Sequence, residues 1–206
     1  MAQCVVLPVG EVIVTLQARR NEQTRAEIYQ AAATLFLKQG FSKTSVSQIA
    51  DMADVSRRTI YRHFQSKDEI AYEIPRQWLA HYLDLIDQRE PSESDFDVCH
   101  RSIVGVARFI QSDRARIETA YQFMTNMPSM RPTEAALNRA WLEAHRSLLT
   151  GNIEAGDLAG ALRGSVMAGA LVGGTDGAFY IWLSDPTNDL VELTEQVWDS
   201  VKKIKI

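Results

Sequence analysis

Apolar side chains recur at intervals of three and four residues along most of the chain, which is the spacing of amphipathic helices. No repeat appears, and after residue 20 no segment alternates in the way typical of a β-strand. The longer helices are predicted at residues 22–39, 67–88, 95–111, 113–126, 132–151, 157–183 and 187–203. With two short helices between the first and second of these, the pattern predicts an all-α protein of about nine helices.

The two short helices are separated by a tight turn. Thr44 is the predicted N-cap of the first, and Asp54, which tolerates a left-handed backbone, marks the turn. Ser56 is a suitable N-cap for the second helix, in which Ile60 and Phe64 lie four residues apart and can bury one face. The pattern therefore predicts a helix-turn-helix.

The opposite side of the second short helix is basic. Arg57 and Arg58 lie in its first turn, where helix-turn-helix proteins contact base edges, and their planar donors suit guanine. Tyr61, His63 and Lys67 add donors suited to phosphate oxygens. The alternative is an ordinary solvated arginine-rich face.

Charge favours the first interpretation. Residues 19–67 contain nine Lys or Arg and four acids, a net of +5, whereas the whole chain carries −4. An acidic protein with one basic end is not a general polyanion binder, and its positive region coincides with the basic helix.

This segment resembles the DNA-binding domain of the tetracycline-repressor (TetR) family. The resemblance covers about residues 24–72 and rests on Gly40-Phe41, Thr44, Ile49-Ala50, Ala53, Val55-Ser56, Thr59, Tyr61, His63-Phe64 and Lys67 to Ile70. Asp54 replaces the usual Gly, and Arg58 stands where a small residue is more common. The resemblance implies a double-stranded DNA operator, contacted by Thr44, Ser56, Arg57, Arg58, Thr59, Tyr61, Arg62, His63 and Lys67.

The resemblance also implies a domain plan: an N-terminal arm (1–20), a helix-turn-helix domain (21–66) and a helical effector-binding and dimerisation domain (67–206). Arg19, Arg20 and Arg25 either reach the minor groove, as in some members, or form a mobile arm. The Val-rich stretch 4–16 fits a short strand or a disordered segment; it predicts neither a signal peptide nor a membrane span.

Glycines recur every four or five residues from Gly160 to Gly177. Arg163 and Asp176 argue against a membrane span, so close helix packing is the better interpretation. By resemblance, the last two helices of each subunit form a homodimer interface; the alternative buries the glycine face within one subunit. A dimer would read an inverted repeat.

The family resemblance further implies a small-molecule effector that releases a repressor from DNA. We expect an apolar or aromatic effector. The candidate residues lining its pocket are Trp78, Phe109, Tyr121, Met124, Trp141, His145 and Met167; the alternative for each is ordinary core. The alternative is an architectural or effector-independent DNA binder, which would lack a cavity of several hundred cubic ångströms.

Catalysis is not expected, since the chain has no metal-binding histidine spacing, nucleophile elbow or phosphate loop. Two cysteines are too few for a disulfide framework, which favours a reducing cytoplasm, and no cofactor is predicted.

Overall fold

The computed structural model describes residues 9–124 and 131–204, with side chains described over 20–118, 120–121 and 133–204. All regular structure in these residues is helical, which confirms the all-α prediction. The helices are α1 (Val9–Gln39), α2 (Val46–Met52), α3 (Arg57–His63), α4 (Lys67–Ala71), α5 (Glu73–Asp87), α6 (Asp95–Gln111), α7 (Arg114–Met124), α8 (Arg131–Thr150), α9 (Leu158–Ser184) and α10 (Leu190–Val201).

The described helices number ten because the segment predicted as one helix, 67–88, is broken at Tyr72. This residue caps α4 with φ −90° and ψ 11°, outside the helical range, and α5 begins at the next residue. At the other end of the chain, α1 already begins at Val9, so neither alternative for stretch 4–16 holds over its described part. Residues 1–8 lie outside the described residues.

The chain divides into two compact units; of the described residues, the first comprises 9–73 and 123–124, and the second 74–122 and 131–204. The boundaries predicted at 20/21 and 66/67 remain predictions. In the first unit, Ile28, Ala32, Leu35 and Phe36 recur at helical spacing on α1 and are buried, and the buried Phe41 has its ring centroid 5.0 Å from that of Phe36. Gly40, at φ +84°, supplies the left-handed residue that ends α1.

In the second unit, α9 packs against α8 on one side and α10 on the other. A Cβ placed on Gly164 would lie 2.8 Å from the Leu149 carbonyl oxygen of α8, and one on Gly174 would lie 2.5 Å from Val197 Cγ1 of α10. These two glycines therefore set how closely the three helices approach. By length and composition alone α9 could cross a membrane, but it is a packed helix of this unit.

The apolar spacing of the last helix predicts a buried stripe of Leu190, Leu193, Val197, Val201 and Ile204. In α10, Leu190 and Val201 are buried as predicted, but Trp198 rather than Val197 is the buried residue between them. The Trp198 ring lies 4.4 Å from Phe96 and 4.8 Å from His100 of α6, between centroids. A large aromatic side chain one position along the helix thus anchors α10 on α6.

Candidate functional site

The first short helix is capped by a residue other than the predicted one. Ser45 is the N-cap of α2: its hydroxyl accepts from Gln48 N, and the Gln48 side chain accepts from Ser45 N, forming a capping box. Thr44 is only 2% exposed, and its hydroxyl donates to the Gly40 carbonyl at 2.9 Å. The prediction of Thr44 as N-cap was therefore wrong. Its hydroxyl instead bonds within the loop between α1 and α2 (the α1–α2 corner).

The turn between the short helices has the predicted backbone. Asp54 is the one non-glycine residue with positive φ (51°) in the described chain. The Val55 amide then donates to the Ala50 carbonyl at 3.0 Å, and the chain enters α3 at its N-cap Ser56. The Ser56 hydroxyl accepts from the Thr59 amide at 3.0 Å, so its position is fixed by the helix that it caps.

Two apolar side chains seat α3 on the rest of the first unit. Ile60 and Phe64 are each 1% exposed. Because α3 has only seven residues, its orientation depends on such tertiary contacts rather than on helical propensity. Burial of this face turns the remaining side chains of the helix toward solvent.

The exposed side of α3 is cationic and not neutralised. Arg57, Arg58 and Arg62 are exposed, and Tyr61 is 50% exposed. Within the part of the chain whose side chains are described, none of the three arginines forms an ion pair with a carboxylate. Their guanidinium groups therefore remain available for an external anion or base edge.

The other residues predicted to hold the DNA backbone are engaged within the protein. Lys67 Nζ donates to the carbonyls of Phe41 (2.7 Å) and Thr44 (2.8 Å) and lies 4.0 Å from the Phe41 ring centroid. Burial lowers the pKa of Lys67. Burial, followed by Arg62 and Arg25, also lowers the pKa of His63, which favours its neutral form. Lys67 thus holds the backbone of the same α1–α2 corner that the Thr44 hydroxyl holds.

Arg25 also turns inward, unlike the basic arm predicted at the start of the first helix. Its guanidinium forms an ion pair with Glu73 and donates to the His63 carbonyl at 2.6 Å. Arg20 is exposed, and the side chain of Arg19 lies outside the described residues. The interpretation of Arg25 as a groove-binding or mobile residue is therefore wrong.

The chain matches the family model described as bacterial regulatory proteins, tetR family, over residues 28–74. It is 45% identical over 56 residues to the HTH-type transcriptional regulator TcmR of Streptomyces glaucescens, covering 27% of this chain and 25% of that one. Over 85% of this chain and 87% of the relative, it is 28% identical to the HTH-type transcriptional regulator TtgR of Pseudomonas putida. Residues 28–74 therefore form the N-terminal domain of the tetR family.

The fold of the whole chain agrees with this assignment. The solved SmeT–triclosan complex is 17% identical and superposes with a TM-score of 0.62, covering 87% of this chain and 90% of that one. The family match and the related regulators, rather than the fold alone, make this protein a DNA-binding transcriptional regulator and not an enzyme.

Four of the predicted effector residues lie in two aromatic groups of the second unit. The first group joins Trp78 and Tyr121 through Phe179, whose ring centroid lies 5.2 Å and 5.8 Å from theirs. The second group joins Trp141 and His145 through Tyr82, at 5.2 Å and 4.6 Å. The sequence analysis does not predict either central ring, Tyr82 or Phe179, as an effector residue. The segment that contains Phe179 is notable in the sequence for its regularly spaced glycines.

The other three predicted effector residues are Phe109, Met124 and Met167. Phe109 is 43% exposed and its ring contacts His81 at 4.7 Å, while Met167 is buried in α9. Met124 ends α7, and its side chain lies outside the described residues. No single cluster of all seven is therefore visible among the described side chains.

His145 is the most unusual polar group of this unit. It is 1% exposed, and its Nδ1 lies 2.9 Å from the Trp141 carbonyl oxygen. Because a carbonyl only accepts, Nδ1 carries the proton, and burial lowers the pKa of the ring and keeps it neutral. The Nε2 atom is then a buried acceptor without a hydrogen-bond partner in the described part of the chain.

A groove of about 600 Å³ lies between α5 and α8. Leu79, Leu83 and Ile86 form one wall, and alanines and Leu148 of α8 form the other. None of the predicted effector residues lines this groove. Its size is within the range of small-molecule sites. Only three of the seven predicted residues, Trp78, Trp141 and His145, lie on these two helices at all.

One side of α9 carries exposed leucines and glycines. Leu158 and Leu162 are 81% and 55% exposed. Gly169, Gly173 and Gly177 continue the same face, and a Cβ on any of them would meet nothing within 4 Å. The glycines of α9 thus form two sets, one packed inside the subunit and one open at its surface.

Proposed function

We propose that the regulator binds an inverted-repeat DNA operator as a homodimer and represses transcription in the cytoplasm until a small aromatic effector releases it. The observation that carries the DNA contact is that Arg57, Arg58 and Arg62 of α3 are exposed and form no ion pair with a described carboxylate, whereas Ile60 and Phe64 are buried. A rigidly seated helix with planar cationic donors suits direct readout of guanine edges in the major groove.

The predicted DNA-binding residues have different roles, which depend on whether their polar atoms are already bonded within the protein. Arg57, Arg58, Thr59, Tyr61 and Arg62 face bases or adjacent phosphates. Ser56 and His63 lie at the two ends of the same helix and meet the phosphate backbone. Thr44 and Lys67 act mainly by holding the corner beside them, since their polar atoms are already bonded to backbone carbonyls.

Selection of bound duplexes from a random pool, repeated with Arg57→Ala, tests the DNA contact. If Arg57 reads a base, the variant loses preference at one position in each half-site, at a cost of about 1–3 kcal/mol. Uniform weakening with a smaller salt slope would instead make it a phosphate contact. Wild-type protein that shows no salt-sensitive association with any duplex would overturn the proposal.

The open face of α9 supports the homodimer. Exposed Leu158 and Leu162 and open Gly169 and Gly173 lie together, and small residues allow two helices to approach closely. The two-fold axis then sets two reading helices about one DNA turn apart, roughly 34 Å, or a multiple of this distance. Sedimentation of the free protein and the spacing of selected half-sites test this; a monomer that recovers only single half-sites would contradict it.

Two observations support an aromatic effector with a hydroxyl group. The rings of Tyr82 and Trp141 surround His145, and its Nε2 is a buried acceptor that a phenol can satisfy. A buried acceptor left without a partner costs about 1–3 kcal/mol, so a donor-bearing ligand gains from meeting it. The Tyr82 hydroxyl does not compete, because it lies 3.7 Å from Cys99 Sγ and interacts there.

Triclosan, a chlorinated phenol, and its methyl ether form a matched pair of probes. We expect triclosan to raise the melting temperature and to weaken operator binding, and the ether, which cannot donate, to do so less. His145→Phe should remove the difference between the two compounds. If only charged sugars raise the melting temperature, the aromatic effector is excluded; if no compound in a broad panel acts, an effector-independent DNA binder is the better description.

A further inference from the structure

The ion pair between Arg25 and Glu73 connects three elements of the first unit. Arg25 lies on α1, and its Nε donates to Glu73 Oε1 at 3.2 Å while Nη2 pairs with Oε2. Its Nη1 donates to the His63 carbonyl at 2.6 Å, and its guanidinium lies 4.3 Å from the Phe64 ring centroid. One side chain therefore holds the C-terminal end of α3 and the first residue of α5.

This ion pair is largely buried, unlike an ordinary surface ion pair. The side chain of Glu73 is 4% exposed and that of Arg25 is 21% exposed. A buried carboxylate requires a partner, and the fork of an arginine can satisfy both of its oxygens at once. Two nitrogens of the Arg25 guanidinium donate to Glu73, and the third donates to the His63 carbonyl. Arg25 is therefore poorly placed to reach a phosphate.

The pair acts on the helix that carries the DNA-binding side chains. Helix α3 has seven residues, and its last carbonyls would otherwise need other donors. Arg25 supplies one, at His63, directly beside the Phe64 seat. The position of α3 is thus set at its C-terminal end by Arg25 as well as by apolar packing.

The position of Glu73 adds a connection to the rest of the chain. It is the first residue of α5, and the division of the chain into two units falls directly after it. Glu73 therefore joins the first residue of α5 to Arg25, and through Arg25 to the end of α3.

We propose that Arg25 is a positioning residue for the DNA-reading helix, acting through its pair with Glu73 and without touching DNA. This inference rests on the proposed binding of duplex DNA by α3. The two roles predict opposite changes in DNA affinity when Glu73 loses its negative charge. If Arg25 bound DNA through its charge, the affinity would rise. If Arg25 positions α3, the affinity falls.

The test uses Arg25→Met and Glu73→Gln in the full-length protein, with Lys38→Met as a matched control. Lys38 is exposed on the same helix, and its replacement changes the charge by the same amount. The affinity for the selected operator is measured by fluorescence anisotropy over a range of salt concentrations. Circular dichroism and two-dimensional NMR spectra establish that each variant is folded at the assay temperature.

Positioning predicts that Arg25→Met and Glu73→Gln each weaken operator binding by about threefold to thirtyfold in fully folded protein. The salt slope should stay unchanged, since no phosphate contact is lost. The double variant should be no weaker than the worse single variant, because both disrupt one interaction.

Three results would overturn the inference. Glu73→Gln that binds as tightly as wild type or more tightly would contradict positioning, as would a salt slope for Arg25→Met that is lower by about one. Variants with a lower melting temperature but wild-type affinity when folded would make the pair purely structural. Failure of the proposed function looks different, since wild-type protein would then bind no duplex.

Discussion

Two neighbouring glycines of α9 provide a sharp test of how the second unit is packed. Gly174 faces α10, where an added Cβ would lie 2.5 Å from Val197 Cγ1 and 3.5 Å from Cγ2. Gly173, one residue earlier on the same helix, faces open space within 4 Å. The same substitution at these positions should therefore have opposite effects on the free energy of unfolding.

The magnitudes follow from two terms. Replacement of a helical glycine by alanine gains about 1 kcal/mol of helix propensity. At Gly174 the added methyl group also overpacks against a β-branched side chain with little rotamer freedom, which costs about 1–3 kcal/mol and more where α10 cannot shift. Gly174→Ala should thus lose up to about 2 kcal/mol, while Gly173→Ala should gain up to about 1 kcal/mol within one subunit.

Urea unfolding followed by circular dichroism measures both effects, at protein concentrations low enough to separate subunit stability from dimerisation. Val197→Ala provides the complementary change, because it removes both methyl groups that the new Cβ would meet. The double variant should recover much of the loss. Gly174→Ala at least as stable as wild type would refute the packing of α9 on α10. Gly173→Ala that also weakens the dimer would support the open glycine face as the subunit interface.

Three further outcomes are expected. Ser45→Ala should destabilise the first unit by about 1 kcal/mol by removing the cap of α2, whereas Ser42→Ala, on an exposed residue of the preceding turn, should have little effect in the same urea titration. Asp54→Val should cost about 1–2 kcal/mol because a β-branched residue is strained at φ 51°, and Asp54→Asn should be nearly neutral; equal stabilities would contradict the strain argument. Burial lowers the pKa of His145, so the unfolded chain binds the proton more readily and the stabilising contribution is lost as pH falls below about 6.5. His145→Phe should remove this acid sensitivity, up to about 1.4 kcal/mol per pH unit, and an unchanged pH dependence of unfolding would exclude the assignment.

The amino-acid sequence by itself determined the helical class, most helix limits and the helix-turn-helix. These depend on local signals: the three-and-four spacing of apolar residues, Gly40 at the end of α1, Asp54 at the turn, and Ser56 before α3. The same spacing identified Ile60 and Phe64 as the buried side of α3, and so its arginines as exposed.

Only the tertiary structure decided the direction of side chains whose partners are distant in sequence. Arg25 and Lys67 carry the same charge as Arg57, yet they end in contacts with carboxylate or carbonyl groups 48 and 26 residues away. The glycines of α9 likewise have one local pattern, but only the packing of α10 separates Gly174 from Gly173. Long side chains and glycines are permissive in a local pattern, so their roles are set by the neighbours that folding brings to them.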